Sequence, residues 1–394
     1  MAVAPSLLIL VDALRYDYAD SSMPFLSSLV KEGFSASVIE TCAFQTRPAY
    51  LAGLEPDESD ICHLFQRTLE HSHFDFTRPF LPLLRGLDES MVDGLLRRVL
   101  KRIARVRARN RGEYAAAEVM DTARIPLHLL HQFALSEVRH TDDPHVFPGR
   151  ETLFDKIRAR GLTYQWIGYP RHYGSSSVIL NAVRNAPKAD LTYIHLSELD
   201  WVGHRFGPES QEMKEARESM DSILRDLADP VLHAGGKVAI FGDHGMVEVR
   251  GLFDARTLVE SRCLVKGEGP LCFFDSTQIR LWYPSREIQE KSRDSLKNNS
   301  HGHLLSTEER RRLHLNFSHN RYGDDIFVVN GGLIVHPSYF ERTHPPKGMH
   351  GYLPDVVDNR ALVVTAGGST RRSPDAPIAM VELFSLFLDL FDLR

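Results

Sequence analysis

The chain of 394 residues is 43% hydrophobic and 25% charged, with a formal net charge of −5 and a pI near 6.4, the balance of a soluble globular enzyme able to bury a large core. Four cysteines, Cys42, Cys62, Cys263 and Cys272, are too few for a disulfide framework and form no CxxC pair, so they read as reduced packing residues. No transmembrane segment is expected: the apolar stretch 378–393 is broken by Glu382, Asp389 and Asp392 and reads as a buried terminal helix, and residues 1–11 lack the basic start and cleavage motif of a signal peptide, so the expected location is cytoplasmic.

In chain order, 7–11 reads as a core strand closed by Asp12, followed by a helix near 24–31 that stops at Gly33. A strand near 35–39 leads into the loop that carries Thr46. Residues from Thr46-Arg47-Pro48 to about Gly53 suit a helix with proline in its first turn, which would aim backbone N–H groups at the Thr46 hydroxyl and prepare a seat for an anion.

From 64 to 145 the rhythm changes. No convincing strand is visible, and a helical stretch carries eight Arg or Lys between Arg97 and Arg111 with no acidic residue. Wound as a helix, it sets Arg97, Arg98, Lys101, Arg102, Arg105 and Arg109 on one side and Leu96, Val99, Leu100, Ile103 and Val106 on the other. The plain reading is a solvated basic face with its apolar stripe laid on the body. The alternative is a surface for an anionic partner, either a phosphate-rich ligand, a membrane or an acidic protein, with little to favour nucleic acid.

The alternation of helix and strand resumes at 151–160 (helix), 164–168 and 191–196 (strands), 209–227 (helix, with Pro230 placed beyond its end) and 237–241 (strand). Such alternation predicts an α/β fold: a mostly parallel sheet sandwiched by helices. Between 251 and 347 the text is less regular, with strands expected at 278–283, 326–329 and 333–336 around a polar stretch at 285–312.

Candidate chemistry collects where strands give way to loops, which is where open α/β sheets build their sites. Asp12 closes the first strand. Asp200-Trp-Val-Gly-His204 places a carboxylate and an imidazole four residues apart, able to reach one cation, although a buried Asp/His hydrogen bond would leave the same trace. In Gly242-Asp243-His244-Gly245-Met246, two adjacent metal-ligand types are bracketed by glycines. His350 stands between glycines in Gly348-Met349-His350-Gly351-Tyr352.

Taken in order, these blocks, together with Val11-Asp12-Ala13-Leu14-Arg15 and Thr46-Arg47-Pro48 followed by Leu51-Ala52-Gly53-Leu54-Glu55-Pro56, resemble the alkaline phosphatase superfamily, most closely its nucleotide pyrophosphatase/phosphodiesterase branch. The resemblance implies one catalytic domain over 1–394, with a mainly helical basic insertion at 64–148 and a cap-like insertion at 251–347. It implies two divalent metal ions, most naturally zinc, with manganese or iron as alternatives. One would be held by Asp12, Asp243 and His244 beside the Thr46 oxygen, and the other by Asp200, His204 and His350. Thr46 would be the nucleophile of a phosphodiesterase that cleaves a small, nucleotide-like phosphoester through a phospho-threonine intermediate. The alternatives are a phosphomonoesterase or phosphotransferase on the same site, or a metal-binding interaction module that works through the basic helix. The branch commonly places an asparagine donor beyond its nucleophile, but no asparagine occurs here between Thr46 and Arg109. Arg47 and Arg15 are the candidate replacements, and Tyr169 and His172, after the strand at 164–168, are candidates for a leaving-group pocket.

Overall fold

Residue alternation along the first strand sets the architecture. In Ser6–Val11, Leu7, Ile9 and Val11 enter one apolar layer and Leu8 and Leu10 the other, so the strand is buried on both faces. The computed structural model describes residues 5–42, 45–68, 72–87, 93–113, 124–171, 174–340, 344–368 and 373–394. Its main sheet has seven strands in the order Ile378–Ala379, Phe34–Ile39, Ala361–Ala366, Lys237–Phe241, Ser6–Val11, Leu191–Leu196 and Tyr164–Gly168. Only Ala361–Ala366 runs against its neighbours, so the sheet is mostly parallel. Leu8 sits at its centre, in register with Tyr193 on one side and Ala239 on the other.

Helices cover both faces. Pro24–Glu32, Ser176–Asn185, Glu198–Phe206 and Gln211–His233 contribute to the apolar layer that contains Ile9. Arg47–Ala52, Leu153–Ala159 and the terminal helix Glu382–Leu390 contribute to the layer that contains Leu10. Contrary to the expectation that Pro230 follows its helix, Gln211–His233 runs through the proline. Val231 and Leu232 continue the apolar stripe onto the core, and that burial outweighs the hydrogen bond that the proline nitrogen cannot make.

Residues from 64–148 and 251–347 share one further apolar core: Phe74, Leu100, Phe133 and Leu135 from the first stretch pack with Phe273, Trp282, Phe327 and Tyr339 from the second. The second stretch builds a four-stranded antiparallel sheet, Leu271–Phe274, Gln278–Trp282, Asp325–Val329 and Gly302–Leu304. Two features correct the sequence reading. The first stretch does contain strands, since Phe65–Arg67 pairs antiparallel with Phe133–Leu135. In the helix Asp93–Asn110, the side turned to the protein carries Arg97, Leu100, Ala104 and Ala108, while Val99, Ile103 and Val106 face outward. Arg97 is buried because Asp93, one turn earlier, and the Ile125 carbonyl accept its hydrogen bonds.

Candidate active site

Two groups of side chains converge at the carboxyl end of the sheet. The first comes from two adjacent parallel strands. Asp12 follows Ser6–Val11, its backbone N–H anchored on the Leu196 carbonyl at 2.9 Å, and the chain turns at once through Ala13, whose φ is +61°. Asp243 and His244 follow Lys237–Phe241. Gly242 is required between them, because a β-carbon there would lie 2.7 Å from the Leu14 carbonyl oxygen. His244 Nε2 lies 3.1 Å from Asp12 Oδ1 and 3.7 Å from Asp243 Oδ1.

The second group rests on a helix and a loop. Asp200 and His204 are one turn apart on Glu198–Phe206, with His204 Nε2 3.2 Å from Asp200 Oδ1, and His350 Nε2 is 3.7 Å from the same oxygen. The glycine between them serves packing, since a β-carbon on Gly203 would meet Met246 Cε at 2.7 Å. The His244 and His350 rings stack at 3.5 Å with a 2° interplanar angle and join the two groups.

Both groups meet the requirements of a divalent cation. Within each, the candidate ligand atoms all lie within 4.8 Å of one another. Asp12 Oδ1, Asp200 Oδ1 and Asp243 Oδ1 are buried and have no hydrogen-bond partner among the described residues, a costly arrangement unless something positive completes it. His204 Nδ1 lies 2.9 Å from the Gly348 carbonyl and His244 Nδ1 2.8 Å from the Gly245 carbonyl. A carbonyl only accepts, so each Nδ1 carries a proton, which leaves Nε2 as the ring nitrogen that a metal would take up on displacing any proton there.

The electrostatics agree with this reading. Burial works to raise the Asp12 carboxyl, but the adjacent His195 and His244 imidazoles hold it well below the ordinary carboxylate value. Burial and the nearby Asp12 charge push Asp243 up to about 6. Burial opposes protonation of His204, yet Asp200 carries it up to about 9. Burial, with His244 and His204 alongside, drives His350 well below the ordinary histidine value. In the metal-free protein, protons on His204 and His244 supply the positive charge that these carboxylates demand.

Thr46 is buried at the start of Arg47–Ala52, and its side chain makes no capping hydrogen bond to the helix. One turn on, Tyr50 packs edge-on against Phe241 at 4.9 Å and its hydroxyl lies 3.1 Å from that of Tyr193, which sets this helix over the strand that delivers Asp243. Arg47 is buried, with Nη2 2.5 Å from Glu137 and 3.1 Å from Gln45, while its Nε has no hydrogen-bond partner among the described residues. Tyr169 lies against both Arg47 and His195, its ring 5.6 Å from the Arg47 guanidinium carbon. The Arg15 donors go to Asp17, Glu209 and the Met246 carbonyl, so Arg15 braces the loop after the first strand. His172 lies outside the described residues.

Three neighbours of the site escape the sequence reading. His195 Nε2 is 3.1 Å from Asp12 Oδ2; a histidine inside a wholly buried strand is itself a signal. Glu40 follows Phe34–Ile39 as Asp12 follows Ser6–Val11, and Asn359 donates to it. Glu137 reaches Arg47 from 90 residues away, which no local pattern reveals.

The sheet, its covering helices and the histidine–carboxylate groups at the strand ends define a phosphoester-acting enzyme of alkaline phosphatase-like architecture, with two places able to hold divalent ions. Residues 6–353 match the model of the type I phosphodiesterase/nucleotide pyrophosphatase family, and the chain belongs to that family. Among solved structures, murine ectonucleotide pyrophosphatase/phosphodiesterase 5, an inactive threonine-to-alanine variant in complex with AMP, is similar at a TM-score of 0.68 and 15% identity, with 99% of this chain and 95% of that chain covered. The human protein is similar at a TM-score of 0.68 and 14% identity, over the same shares of the two chains. Among curated relatives, GPI ethanolamine phosphate transferase 2 of Saccharomyces cerevisiae is 35% identical over 81 residues, and that of Candida glabrata 38% identical over 64 residues. Those matches span 18% and 16% of this chain and only 10% and 8% of the relatives. Among the described residues, no helix is long and apolar enough to cross a membrane.

Proposed function

We propose that the protein is a phosphodiesterase that cleaves a small, nucleotide-like phosphodiester through a covalent phospho-Thr46 intermediate. The observation that carries this reading is the pair of histidine–carboxylate groups joined by the stacked His244 and His350 rings, with the helix that Thr46 begins packed through Tyr50 on the strand that delivers Asp243. Asp12, Asp243 and His244 would hold one divalent ion and Asp200, His204 and His350 the other, with zinc the natural choice for mixed nitrogen and oxygen donors. Such ions, when bound, supply Lewis-acid charge that lowers the hydroxyl pKa and offsets charge on the phosphoryl oxygens.

The chain's own part is attack and placement. Thr46 Oγ1 bonds to phosphorus and gives up its proton to solvent, while the bond to the leaving alkoxide breaks and that oxygen takes up a proton. Water then displaces Thr46 from phosphorus, restoring the hydroxyl and releasing a phosphate monoester with net retention. Arg47, whose Nε makes no hydrogen bond among the described residues, is the candidate to meet a phosphoryl oxygen in the role left open by the missing asparagine. The AMP complex of the murine neighbour supports a nucleotide-like group retained on phosphorus and released as the monoester, and Tyr169 would flank the leaving alkoxide. The free thiols Cys42, Cys62, Cys263 and Cys272 support a reducing, cytoplasmic setting.

Initial rates on bis(p-nitrophenyl) phosphate and p-nitrophenyl phosphate test the reading. The diester should be preferred, and Thr46→Ala should lose at least ~10³-fold in kcat. Activity that survives Thr46→Ala would remove the covalent mechanism, and a monoester preference would reassign the protein as a phosphomonoesterase. The transferase relatives favour a second outcome for the same intermediate, in which an alcohol takes the place of water. Added ethanolamine would then yield a transferred product at the expense of hydrolysis; hydrolysis alone would reject transfer.

A further inference from the structure

The outer face of Asp93–Asn110 is built the wrong way round for a helix that merely covers the protein. Its inner contacts are made by small alanines, Leu100 and the internally paired Arg97. Its large aliphatics point to solvent, with Leu95 59%, Val99 49%, Ile103 40% and Val106 54% exposed. At 3.6 residues per turn these four occupy one arc along the helix, and Arg98, Arg102, Arg105 and Arg109 form a row directly beside them. The preceding helical turns of the same stretch add Phe80 and Leu83, 56% and 61% exposed.

An apolar row held in water costs about 25 cal/mol per Å² left uncovered, so its burial against something is favourable. The charge selects the partner. Arg98, Arg102, Arg105 and Arg109 line this face and no acidic residue lies between Arg97 and Arg111, so a second copy of this face would bring like charges together. An acidic protein would satisfy the arginines but give no reason for the aliphatics beside them. A bilayer with anionic headgroups answers both, with guanidinium groups at the phosphates and aliphatic side chains at the acyl boundary. We propose that this face docks the protein on an anionic lipid surface, with the helix lying parallel to the membrane plane. It shares no residue with the candidate active site.

Flotation of the intact protein with vesicles tests this. The protein should float with phosphatidylcholine vesicles containing about 30% phosphatidylserine and remain unbound with phosphatidylcholine alone. The triple charge reversal Arg98→Glu, Arg102→Glu, Arg109→Glu should weaken partitioning on the order of 100-fold. Val99→Asn with Ile103→Asn should weaken it by about tenfold or more at unchanged charge on the face. All five positions are exposed, and an unchanged melting temperature will show that each variant is folded. Absence of flotation, equal binding to neutral vesicles, or binding that survives both variants would each overturn the proposal. So would concentration-dependent dimerisation through this face, or capture by polyglutamate, in the absence of vesicle binding.

Discussion

The two metal-competent groups are chemically alike but differ in what holds them. Asp12, Asp243 and His244 emerge from adjacent central strands, Ser6–Val11 and Lys237–Phe241, paired along their length, and His195 on the next strand braces Asp12. Asp200 and His204 stand on a helix, and His350 on a loop rooted in the core that residues 64–148 and 251–347 share: Met349 and Tyr352 on either side of it are buried there, and Thr277 Oγ1 donates to the Gly351 carbonyl at 2.8 Å. The first group is thus part of the sheet, whereas the second rests on a helix and on that further core. A site divided in this way should let changes in the further core reach one half of the chemistry before the other.

The sharpest break of that comparison removes a ligand from each half. Asp12→Asn should lose the metal of the sheet-borne group, keep that of the other and lower kcat/KM by at least ~10³-fold. Asp200→Asn should show the reverse loss at similar cost, with elemental analysis of metal per chain separating the two; loss of both metals from either variant would mean that the groups fill as one unit. Next in size is the brace. His195→Phe leaves Asp12 Oδ2 without its hydrogen bond and should cost about 10–100-fold in metal affinity or activity, confined to the sheet-borne group. Metal titration that locates the deficit in the Asp200 group would refute this role.

Why one half reads more easily from sequence than the other follows from the same division. Strands buried on both faces appear as unbroken apolar runs, closed directly by Asp12 in one case and by Asp243 and His244 between glycines in the other, so these three are visible locally. Contacts that tune the site are not: His195 meets Asp12 across 183 residues and Glu137 meets Arg47 across 90. In the further core shared by 64–148 and 251–347, three-residue strands such as Phe65–Arg67 are too short to display a period of two. The helical period of Asp93–Asn110 was legible, but its orientation was not, because Asp93 neutralises Arg97 and alanines permit close approach.

Thr277→Val probes the link from the inserted side. It leaves the Gly351 carbonyl without its hydroxyl donor, a loss of about 1 kcal/mol, so metal affinity at the Asp200 group should fall about fivefold while the Asp12 group is unaffected. Equal weakening of both groups, measured by competition with a chelating dye, would show that the loop does not divide them.

The smallest effect concerns the tie between the halves. Asn359 accepts from Gly245 N through its carbonyl at 2.8 Å and from Gly351 N through Oδ1 at 3.1 Å, so it bridges the loops of His244 and His350, and it donates to buried Glu40. Burial pushes the Glu40 carboxyl up from 4.5 to about 8. The folded, metal-free protein therefore binds a proton at Glu40 that the unfolded chain releases above about pH 4.5, and the associated stability is full below that pH and drains away as pH rises through about 8. Glu40→Gln removes the titration but keeps an oxygen that accepts from Asn359. Urea unfolding of chelated protein at pH 5, 6.5 and 8 should show wild type losing stability relative to the variant as pH rises. Parallel pH profiles for the two proteins would show that the carboxyl is already ionised in the fold, and that Asn359 joins the halves without a proton at Glu40.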